Sequence, residues 1–256
     1  MKLFDISDQV ILVTGGAGLL GEPICRALAH SGANVVVADI DEESGSALAD
    51  ELERGTFRRL DITDLESIST VCDSVTSEFE RIDGLVNTAY PRNQNYGQPF
   101  ESVELKDWIE NINMHLGGYY AITRAVILRM LQAEVSGSII NFASIYGLQA
   151  PDFSVYEGTE MTSPVEYSAI KGAVLNFSRY LASYFGSDGI RVNSISPGGV
   201  FDEQDDQFVK RYNQRVPLGR MAQPEDIVGA VLFLLSNAAA YVTGHNLVVD
   251  GGWSIK

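Results

Sequence analysis

A glycine-rich turn between an apolar segment and a helical pattern constrains the fold of this chain more than any other feature. The segment Val10-Ile-Leu-Val-Thr14 runs into Gly16, Gly18 and Gly21, and apolar residues at helical spacing follow over 23–28. The spacing G-x-G-x-x-G allows a tight turn, a close approach of backbone to a pyrophosphate and helix-on-strand packing. Free amides at the start of the helix favour phosphate groups. A purely structural glycine turn is the alternative, but the strand before and the helix after favour dinucleotide binding.

The charge balance excludes two classes of partner. The chain has 256 residues, 34 acidic and 18 basic side chains, a net charge of −16 and no basic run. Neither nucleic acid nor an anionic membrane surface is an expected partner. The length predicts a single domain over residues 1–256. The polar N-terminus and the lack of a membrane-length apolar run predict a cytoplasmic protein. Cys25 and Cys72 fall in helical patterns and are expected to be reduced. No metal site is predicted.

Strand-like and helix-like segments alternate along the chain. The predicted strands cover residues 10–14, 34–38, 56–60, 84–87, 138–143, 190–195 and 246–250. The predicted helices cover residues 21–31, 42–53, 104–132 and 224–235, with another that carries Tyr167 and Lys171, while the polar stretch 201–215 is assigned no element. This alternation predicts an α/β fold, with a doubly wound parallel sheet of about seven strands and helices on both faces.

The end of the second predicted strand indicates the cofactor. Asp39 stands there, where a carboxylate accepts hydrogen bonds from the adenosine ribose and repels a 2′-phosphate. No arginine adjoins Asp39 in sequence, so NAD is preferred over NADP. Asp61, after the third predicted strand, has two open interpretations: contact with the adenine edge, or a cap on the next helix.

Three side chains are candidates for acid–base chemistry. Tyr167 and Lys171 are four residues apart on a predicted helix and share one face. A phenol has a pKa near ~10, and a nearby ammonium favours its ionised form. Ser144 follows the fifth predicted strand, where its hydroxyl can donate to a carbonyl oxygen. An isolated Tyr-x-x-x-Lys pair is commonly a surface feature, but its place after the fifth strand favours catalysis.

Several motifs form one set along nearly the whole chain. They are Thr14–Gly21, Asp39, Asp61, Asn87-Thr88-Ala89, Ser144, Tyr167-Ser-Ala-Ile-Lys171, Pro197-Gly198 and Val249-Asp-Gly-Gly252. This set resembles the short-chain dehydrogenase/reductase family, which implies a Rossmann fold and a homo-oligomer, tetramer or dimer. The resemblance also implies that Tyr167 is the acid/base, Lys171 its partner and Ser144 the group that polarises the carbonyl.

The resemblance further implies which residues contact the cofactor. They are Gly15, Ala17, Gly18, Leu19, Leu20, Asp39, Ile40, Asp61, Ile62, Asn87, Ala89, Tyr167, Lys171, Pro197, Gly198 and Val200.

Four features depart from the short branch of that family. The pattern T-G-x-x-G-x-x-G is that of a longer, sugar-nucleotide-modifying branch, but this chain lacks that branch's C-terminal substrate lobe. Tyr90 stands where the short branch has glycine. His115 replaces an asparagine that orders a relay water, and either a relay or a core role is open for it. Ser144 and Tyr167 are separated by an insertion at about 151–164.

Three segments are expected to form the rim of the substrate site, because ligands bind beyond the carboxyl ends of parallel strands. They cover residues 90–97, 151–164 and 201–214, and the candidate substrate-binding residues are Tyr90, Arg92 and Tyr156. Asn93, Asn95, Tyr96, Asp152, Glu157 and Glu160 are expected at the same rim. The first loop and the insertion also resemble, more loosely, a subgroup called flagellin modification protein A, which is linked to nonulosonic-acid sugar synthesis.

These patterns predict an NAD-dependent oxidoreductase that interconverts a secondary alcohol and a carbonyl on a polar, sugar-like small molecule. One alternative is an epimerase or dehydratase that uses bound NAD transiently, which the glycine pattern favours. Another is a dinucleotide sensor without activity, which the intact Ser144, Tyr167 and Lys171 oppose.

Overall fold

A single parallel sheet organises the chain. The structure is a computed structural model, and it describes residues 2–255; Met1 and Lys256 of the predicted domain lie outside the described residues. The strands are β1 (Val10–Thr14), β2 (Asn34–Asp39), β3 (Gly55–Arg59), β4 (Gly84–Asn87), β5 (Ser138–Phe142), β6 (Arg191–Pro197) and β7 (Asn246–Val249). They lie side by side in the order β3-β2-β1-β4-β5-β6-β7, and every pair is parallel. The prediction of a seven-stranded, doubly wound sheet is confirmed.

Helices cover both faces of the sheet. They are α1 (Gly21–His30), α2 (Glu42–Glu51), α3 (Leu65–Phe79), α4 (Leu105–Ile112), α5 (Gly118–Gln132), α6 (Val165–Phe185), α7 (Asp206–Arg215) and α8 (Val228–Leu235). One apolar cluster joins the sheet to α3, α5 and α6, and another joins it to α1, α2 and α8. The strand order reverses between β1 and β4, which opens a crevice at the carboxyl ends of these strands.

The glycine turn after β1 is packed too closely for side chains. Gly15 has a φ of +66°, and a Cβ on it would lie 2.8 Å from the backbone of Ala89, which follows β4. A Cβ on Gly21, the first residue of α1, would lie 2.0 Å from the Gly15 carbonyl oxygen. Only glycine at these positions lets α1 begin directly against the end of β1.

The predicted helix over 104–132 is interrupted. A π-helical turn over Asn113–Gly117 separates α4 from α5. Gly118 packs closely on Ile62, since a Cβ there would lie 2.9 Å from the Ile62 side chain. The extra residue of the π-turn changes the direction of the side chains around His115, which the even helical period of the sequence does not reveal.

The prediction of a polar stretch without structure over 201–215 is wrong. Residues Asp206–Arg215 form α7, which Asp205 caps by accepting from the amides of Gln207 and Phe208. Phe208 and Tyr212, one helical turn apart, are both buried. The apolar face of α7 consists only of Phe208, Val209 and Tyr212, so the polar majority of the stretch hides it.

Two further expectations concern the cysteines and the membrane. Cys25 and Cys72 are both buried and free. Burial raises the pKa of Cys72 to about 11. Among residues 2–255, no helix has the length and apolar character needed to cross a bilayer.

Candidate active site

A cleft of about 850 Å³ runs along the carboxyl edge of the sheet, from the glycine turn to the insertion over 151–164. It passes over the ends of β1, β2, β4, β5 and β6, which is where ligands bind in open α/β sheets.

Most of the residues expected at the cofactor lie along this cleft. Those that line it are Gly15, Gly18, Leu19, Leu20, Asp39, Ile40, Asp61, Ile62, Ala89, Tyr167, Lys171, Pro197, Gly198 and Val200. Ala17 and Asn87 do not line it. The Ala17 amide donates to Asp39 Oδ2 at 3.0 Å, so this amide is occupied in positioning the carboxylate.

Asn87 has a structural role at the end of β4. Its side-chain amide donates to Thr123 Oγ1 at 3.0 Å and to Asn141 Oδ1 at 2.9 Å. Its carbonyl accepts from the Tyr119 hydroxyl at 2.7 Å. Asn87 is fully buried, and these bonds tie β4 to β5 and α5 below the cleft.

The surroundings of Asp39 include an arginine, although no arginine adjoins Asp39 in the sequence. Asp39 accepts hydrogen bonds from the Ala17 and Asp41 amides, at 3.0 and 3.1 Å. Arg59, however, is its register partner on β3. An arginine therefore stands beside Asp39 in the sheet, although none adjoins it in sequence. The strand register, which only the structure supplies, brings them together.

Close packing between α6 and the turn after β5 brings Ser144, Tyr167 and Lys171 together. A Cβ on Gly147 would lie 2.6 Å from the Lys171 backbone, so this glycine allows the turn to rest on α6. Ser144 is buried and accepts from the Tyr146 amide at 3.1 Å. Burial raises the pKa of Tyr167, and its hydrogen bond with Ser144 opposes that rise.

Lys171 is a buried cation held by neutral groups. Its Nζ donates to the Phe142 carbonyl oxygen at 2.8 Å, and the side chain is 5% exposed. The Nζ also lies 5.6 to 5.7 Å from the ring centres of Tyr90, Tyr119 and Tyr167. Burial lowers the pKa of Lys171 from 10.5 to about 7. The aromatic faces and the carbonyl stabilise the ammonium, and no carboxylate of residues 2–255 pairs with it.

The π-turn brings His115 to this lysine. His115 Nε2 lies 3.4 Å from Lys171 Nζ, and the imidazole is almost fully buried. Burial and the neighbouring ammonium lower the pKa of His115 well below its ordinary value, so the ring is neutral. A neutral imidazole can accept a hydrogen bond from Lys171. Asn113, two residues earlier on the same π-turn, lines a separate groove between α4, α5 and α6.

Tyr90 covers the lysine from the cleft side. Its ring makes edge contacts with Tyr167 and His115, at 5.9 and 5.1 Å between ring centres. Its hydroxyl lies 2.5 Å from that of Tyr96, and the Arg92 guanidinium lies 5.2 Å from its ring centre. Tyr90 and Arg92 both line the cleft, whereas Tyr96 contacts Tyr90 and does not line it.

The rest of the loop after β4 is tied to the helices and not to the cleft. The Asn93 side chain donates to Asp107 Oδ1 and Glu110 Oε2, at 2.9 and 2.7 Å, and Asn95 donates to Asp107 Oδ1 at 3.0 Å. Asn111 accepts from the Asn93 amide at 2.9 Å. The expectation that Asn93 and Asn95 line the rim is wrong. The sequence contains a signal for these contacts, namely the helical spacing of the polar residues Asp107, Glu110 and Asn111 on α4.

The insertion over 151–164 forms a fixed wall against α7. Tyr156 lines the cleft, as expected, and its ring packs on Phe208 at 5.1 Å between centres. Asp152 pairs with Arg215, so it does not face the rim. The sequence did not point to two further residues that line the cleft, Tyr212 on α7 and Tyr146 on the turn after β5. The four-residue spacing of Phe208 and Tyr212 was the available signal.

Comparison with known proteins settles the family. A family model described as enoyl-(acyl carrier protein) reductase matches residues 16–254. The chain is also similar to a solved short-chain dehydrogenase from Leptospira borgpetersenii, which contains bound NAD⁺. The two are 32% identical, with a TM-score of 0.86 and coverage of 98% of this chain and 94% of the other. The chain is a short-chain dehydrogenase/reductase.

Other members of the family resemble this dehydrogenase/reductase at similar levels. The post-translational flagellin modification protein A of Campylobacter coli is 34% identical, with coverage of 98% of this chain and 100% of the other. The D-threitol dehydrogenase of Mycolicibacterium smegmatis is 37% identical, with coverage of 99% and 95%. A gluconate 5-dehydrogenase from Burkholderia cenocepacia, solved with NADP and tartrate, is 28% identical with a TM-score of 0.87, over 100% of this chain and 98% of the other. The solved relatives thus include both NAD⁺ and NADP complexes.

The lowered pKa of Lys171 gives this dehydrogenase/reductase a pH-dependent stability. Between pH 7 and 10.5 the unfolded chain binds the lysine proton and the native state releases it, so the free energy of unfolding rises with pH. Lys171→Met removes this term. The free energy of unfolding of the wild type minus that of the variant should therefore increase from pH 7 to 10, by up to about 1.4 kcal/mol per pH unit.

Urea unfolding at several pH values measures this difference. Lys210→Met, at an exposed position on α7, is the matched control and should show no such slope. A difference for Lys171→Met that does not change with pH would contradict the lowered pKa of Lys171 in the native state.

Proposed function

We propose that this protein is an NAD-dependent dehydrogenase/reductase that interconverts a secondary alcohol and a ketone on a polar, sugar-like molecule. The observation that carries the proposal is the convergence of Ser144, Tyr167 and Lys171 in a cleft that continues to the glycine turn. A bound nicotinamide would supply the acceptor for a hydride from the alcohol carbon, or the donor of a hydride to the carbonyl carbon. Alcohol and NAD⁺ then give ketone, NADH and a proton.

Each of the three side chains has its own role in this proposal. Tyr167 takes the hydroxyl proton during oxidation and returns it during reduction. Lys171 favours the phenolate, since a positive charge nearby lowers the pKa of a phenol. Ser144 donates a hydrogen bond to the substrate oxygen, where charge develops during reduction. The glycine turn, Asp39 and the residues after β3 hold the dinucleotide.

His115 extends the acid–base system away from the substrate. Its neutral ring and its 3.4 Å distance from Lys171 Nζ support a role as acceptor for the lysine proton. The π-turn that carries it supports the same role, since π-turns occur frequently at functional sites.

The preference for NAD rests on Asp39. Its carboxylate lines the cleft, and two backbone amides fix its direction. In that position it accepts from the ribose hydroxyls and repels a 2′-phosphate.

The polar substrate is supported by the cleft and by two relatives. Charged and hydroxyl groups in the lining of the cleft come from Arg92, Tyr146, Tyr156 and Asp202. The relatives named for D-threitol and gluconate act, by those names, on polyhydroxylated molecules. Arg92 is the candidate group for an anionic substituent such as a phosphate.

A homo-oligomer, dimer or tetramer, belongs to the same proposal. An apolar groove of about 560 Å³ lies between α4, α5 and α6. Ile109 and Tyr120 on its edge are 58% and 55% exposed. A second copy of the chain would remove this apolar surface from water.

Replacement of the proposed acid/base gives the first test of this function. Tyr167→Phe should lower kcat by a factor on the order of 10²–10⁴, the usual contribution of a general acid–base group, and should leave NADH binding nearly unchanged. NADH formation from secondary alcohols and NADH titration measure the two effects. Tyr184→Phe, at an exposed tyrosine on the same helix, should behave as wild type. Near-wild-type kcat in Tyr167→Phe would remove Tyr167 from the mechanism.

The cofactor preference depends on the pair Asp39 and Arg59. Asp39→Ala removes the repulsion of a 2′-phosphate and leaves Arg59 available to it, so the Kd ratio of NADPH to NADH should fall about tenfold or more. Adding Arg59→Ala should cancel most of this gain, and adding Ile40→Arg should enlarge it. Cofactor fluorescence titration measures both constants.

Asp50→Ala, at an exposed position on α2, is the control for the loss of one negative charge and should keep the wild-type ratio. Tighter binding of NADPH than of NADH by the wild-type protein would contradict the role given to Asp39.

The relay role of His115 predicts an ordering of two variants. His115→Asn, which keeps a hydrogen-bond acceptor, should retain kcat within about tenfold of wild type, while His115→Leu should lose more. If His115 only packs in the core, the leucine variant should instead be the better tolerated one, with kcat and Tm both close to those of the wild type. Equal kcat in the two variants would contradict the relay.

A further inference from the structure

Three hydroxyl groups meet where the insertion wall faces the turn after β5. The Tyr156 hydroxyl donates to the Tyr146 oxygen at 3.4 Å. Ser163 Oγ lies near the Tyr156 hydroxyl, since it affects the pKa of that group. Burial raises the pKa of Tyr156, and the Tyr146 and Ser163 hydroxyls oppose that rise. All three residues line the cleft.

Ser163 Oγ is the unexplained member of this group. It lies close enough to the Tyr156 hydroxyl to act on the pKa of that group, but within the described residues 2–255 it makes no hydrogen bond of ordinary geometry, although Ser163 is only 8% exposed. It does not cap the helix that follows, since α6 has Pro164 at its N-cap and no side-chain cap bond. A buried hydroxyl without a partner is costly, and beside a ligand cleft a ligand group is the natural partner.

The wall that carries these groups is rigid. Val155 is 1% exposed, the Thr159 hydroxyl donates to the Tyr156 carbonyl at 2.7 Å, and the Tyr156 ring packs on Phe208. Such packing fixes the direction of the Tyr156 hydroxyl. Because Tyr146 accepts the Tyr156 proton, its own proton is free to point into the cleft.

The group lies next to the reacting atoms. The Tyr146 amide donates to Ser144 Oγ at 3.1 Å, so Tyr146 adjoins the residue proposed to hold the substrate oxygen. Tyr156 is close enough to Tyr167 to raise its pKa, a smaller effect than that of burial. A substituent on the carbon next to the reacting carbon would therefore meet these hydroxyls.

We propose that Tyr146, Tyr156 and Ser163 form a subsite for a second substrate hydroxyl, on the carbon adjacent to the one oxidised, so that vicinal diols and polyols are the preferred substrates. The proposal rests on the dehydrogenase function proposed above. A substrate hydroxyl accepts from Tyr146 and donates to Ser163 Oγ at the same time. A methyl or methylene group at that place does neither, and it leaves two buried polar groups unpaired.

The test compares a vicinal diol with the mono-alcohol of the same skeleton, cyclohexane-1,2-diol and cyclohexanol, at saturating NAD⁺. In the wild type, kcat/KM should favour the diol by about tenfold or more. Tyr146→Phe and Ser163→Ala should each reduce this ratio by about three- to tenfold, the effect of one neutral hydrogen bond. Tyr180→Phe, at an exposed tyrosine on α6, should keep the wild-type ratio.

A stability measurement separates a binding role of Ser163 from a structural one. Because Ser163 Oγ makes no hydrogen bond of ordinary geometry in the described chain, Ser163→Ala should leave Tm unchanged or slightly raised while the diol ratio falls. A lowered Tm with an unchanged ratio would overturn the proposal and assign Ser163 to the fold.

The two proposals fail in different ways. If the wild type oxidises alcohols without preference for the diol, or if Tyr146→Phe keeps the full preference, the subsite is overturned and the dehydrogenase function stands. If the wild type binds NADH but oxidises neither alcohol and none of a panel of tetritols and hexitols, the dehydrogenase function fails and the subsite fails with it.

Discussion

The hydrogen bond from Lys171 Nζ to the Phe142 carbonyl oxygen, 2.8 Å long, determines the geometry of the whole site. It ties α6 to the last residue of β5, and Ser144 follows two residues later. Tyr167, one helical turn before Lys171, is thereby placed over the same strand end. Gly147 makes this contact possible, since any side chain there would press on the backbone of α6.

The cost of burying Lys171 explains its unusual surroundings. A carboxylate would stabilise the ammonium, but it would also hold the charge away from Tyr167. Three aromatic rings, a carbonyl and the neutral His115 stabilise the cation more weakly, and the pKa of Lys171 falls to about 7. A lysine poised at that value responds readily to a neighbouring phenolate, which is the charge that the proposed reaction requires.

The sequence predicts the parts of this protein that depend on short-range pattern. The glycine turn, the strand ends at Asp39 and Ser144, and the pair Tyr167 and Lys171 all follow from local spacing and from strand–helix alternation. Contacts set by register or by tertiary packing do not. Arg59 lies beside Asp39 only because β2 and β3 pair in one register, and Asn87 lies below the cleft because β4 and β5 share a buried amide network. Helix α7 escaped prediction because its apolar face consists of few side chains, Phe208, Val209 and Tyr212, within a polar stretch.

The pH dependence of kcat/KM for alcohol oxidation by the wild-type protein and by Tyr167→Phe tests the central claim most directly. If Tyr167 is the base, the wild-type rate should rise as the pH is raised from about 6 to 10, because the fraction of ionised phenol increases, and the residual rate of Tyr167→Phe should lack this rise. A wild-type rate independent of pH over that range, or the same rising limb in Tyr167→Phe, would contradict the account.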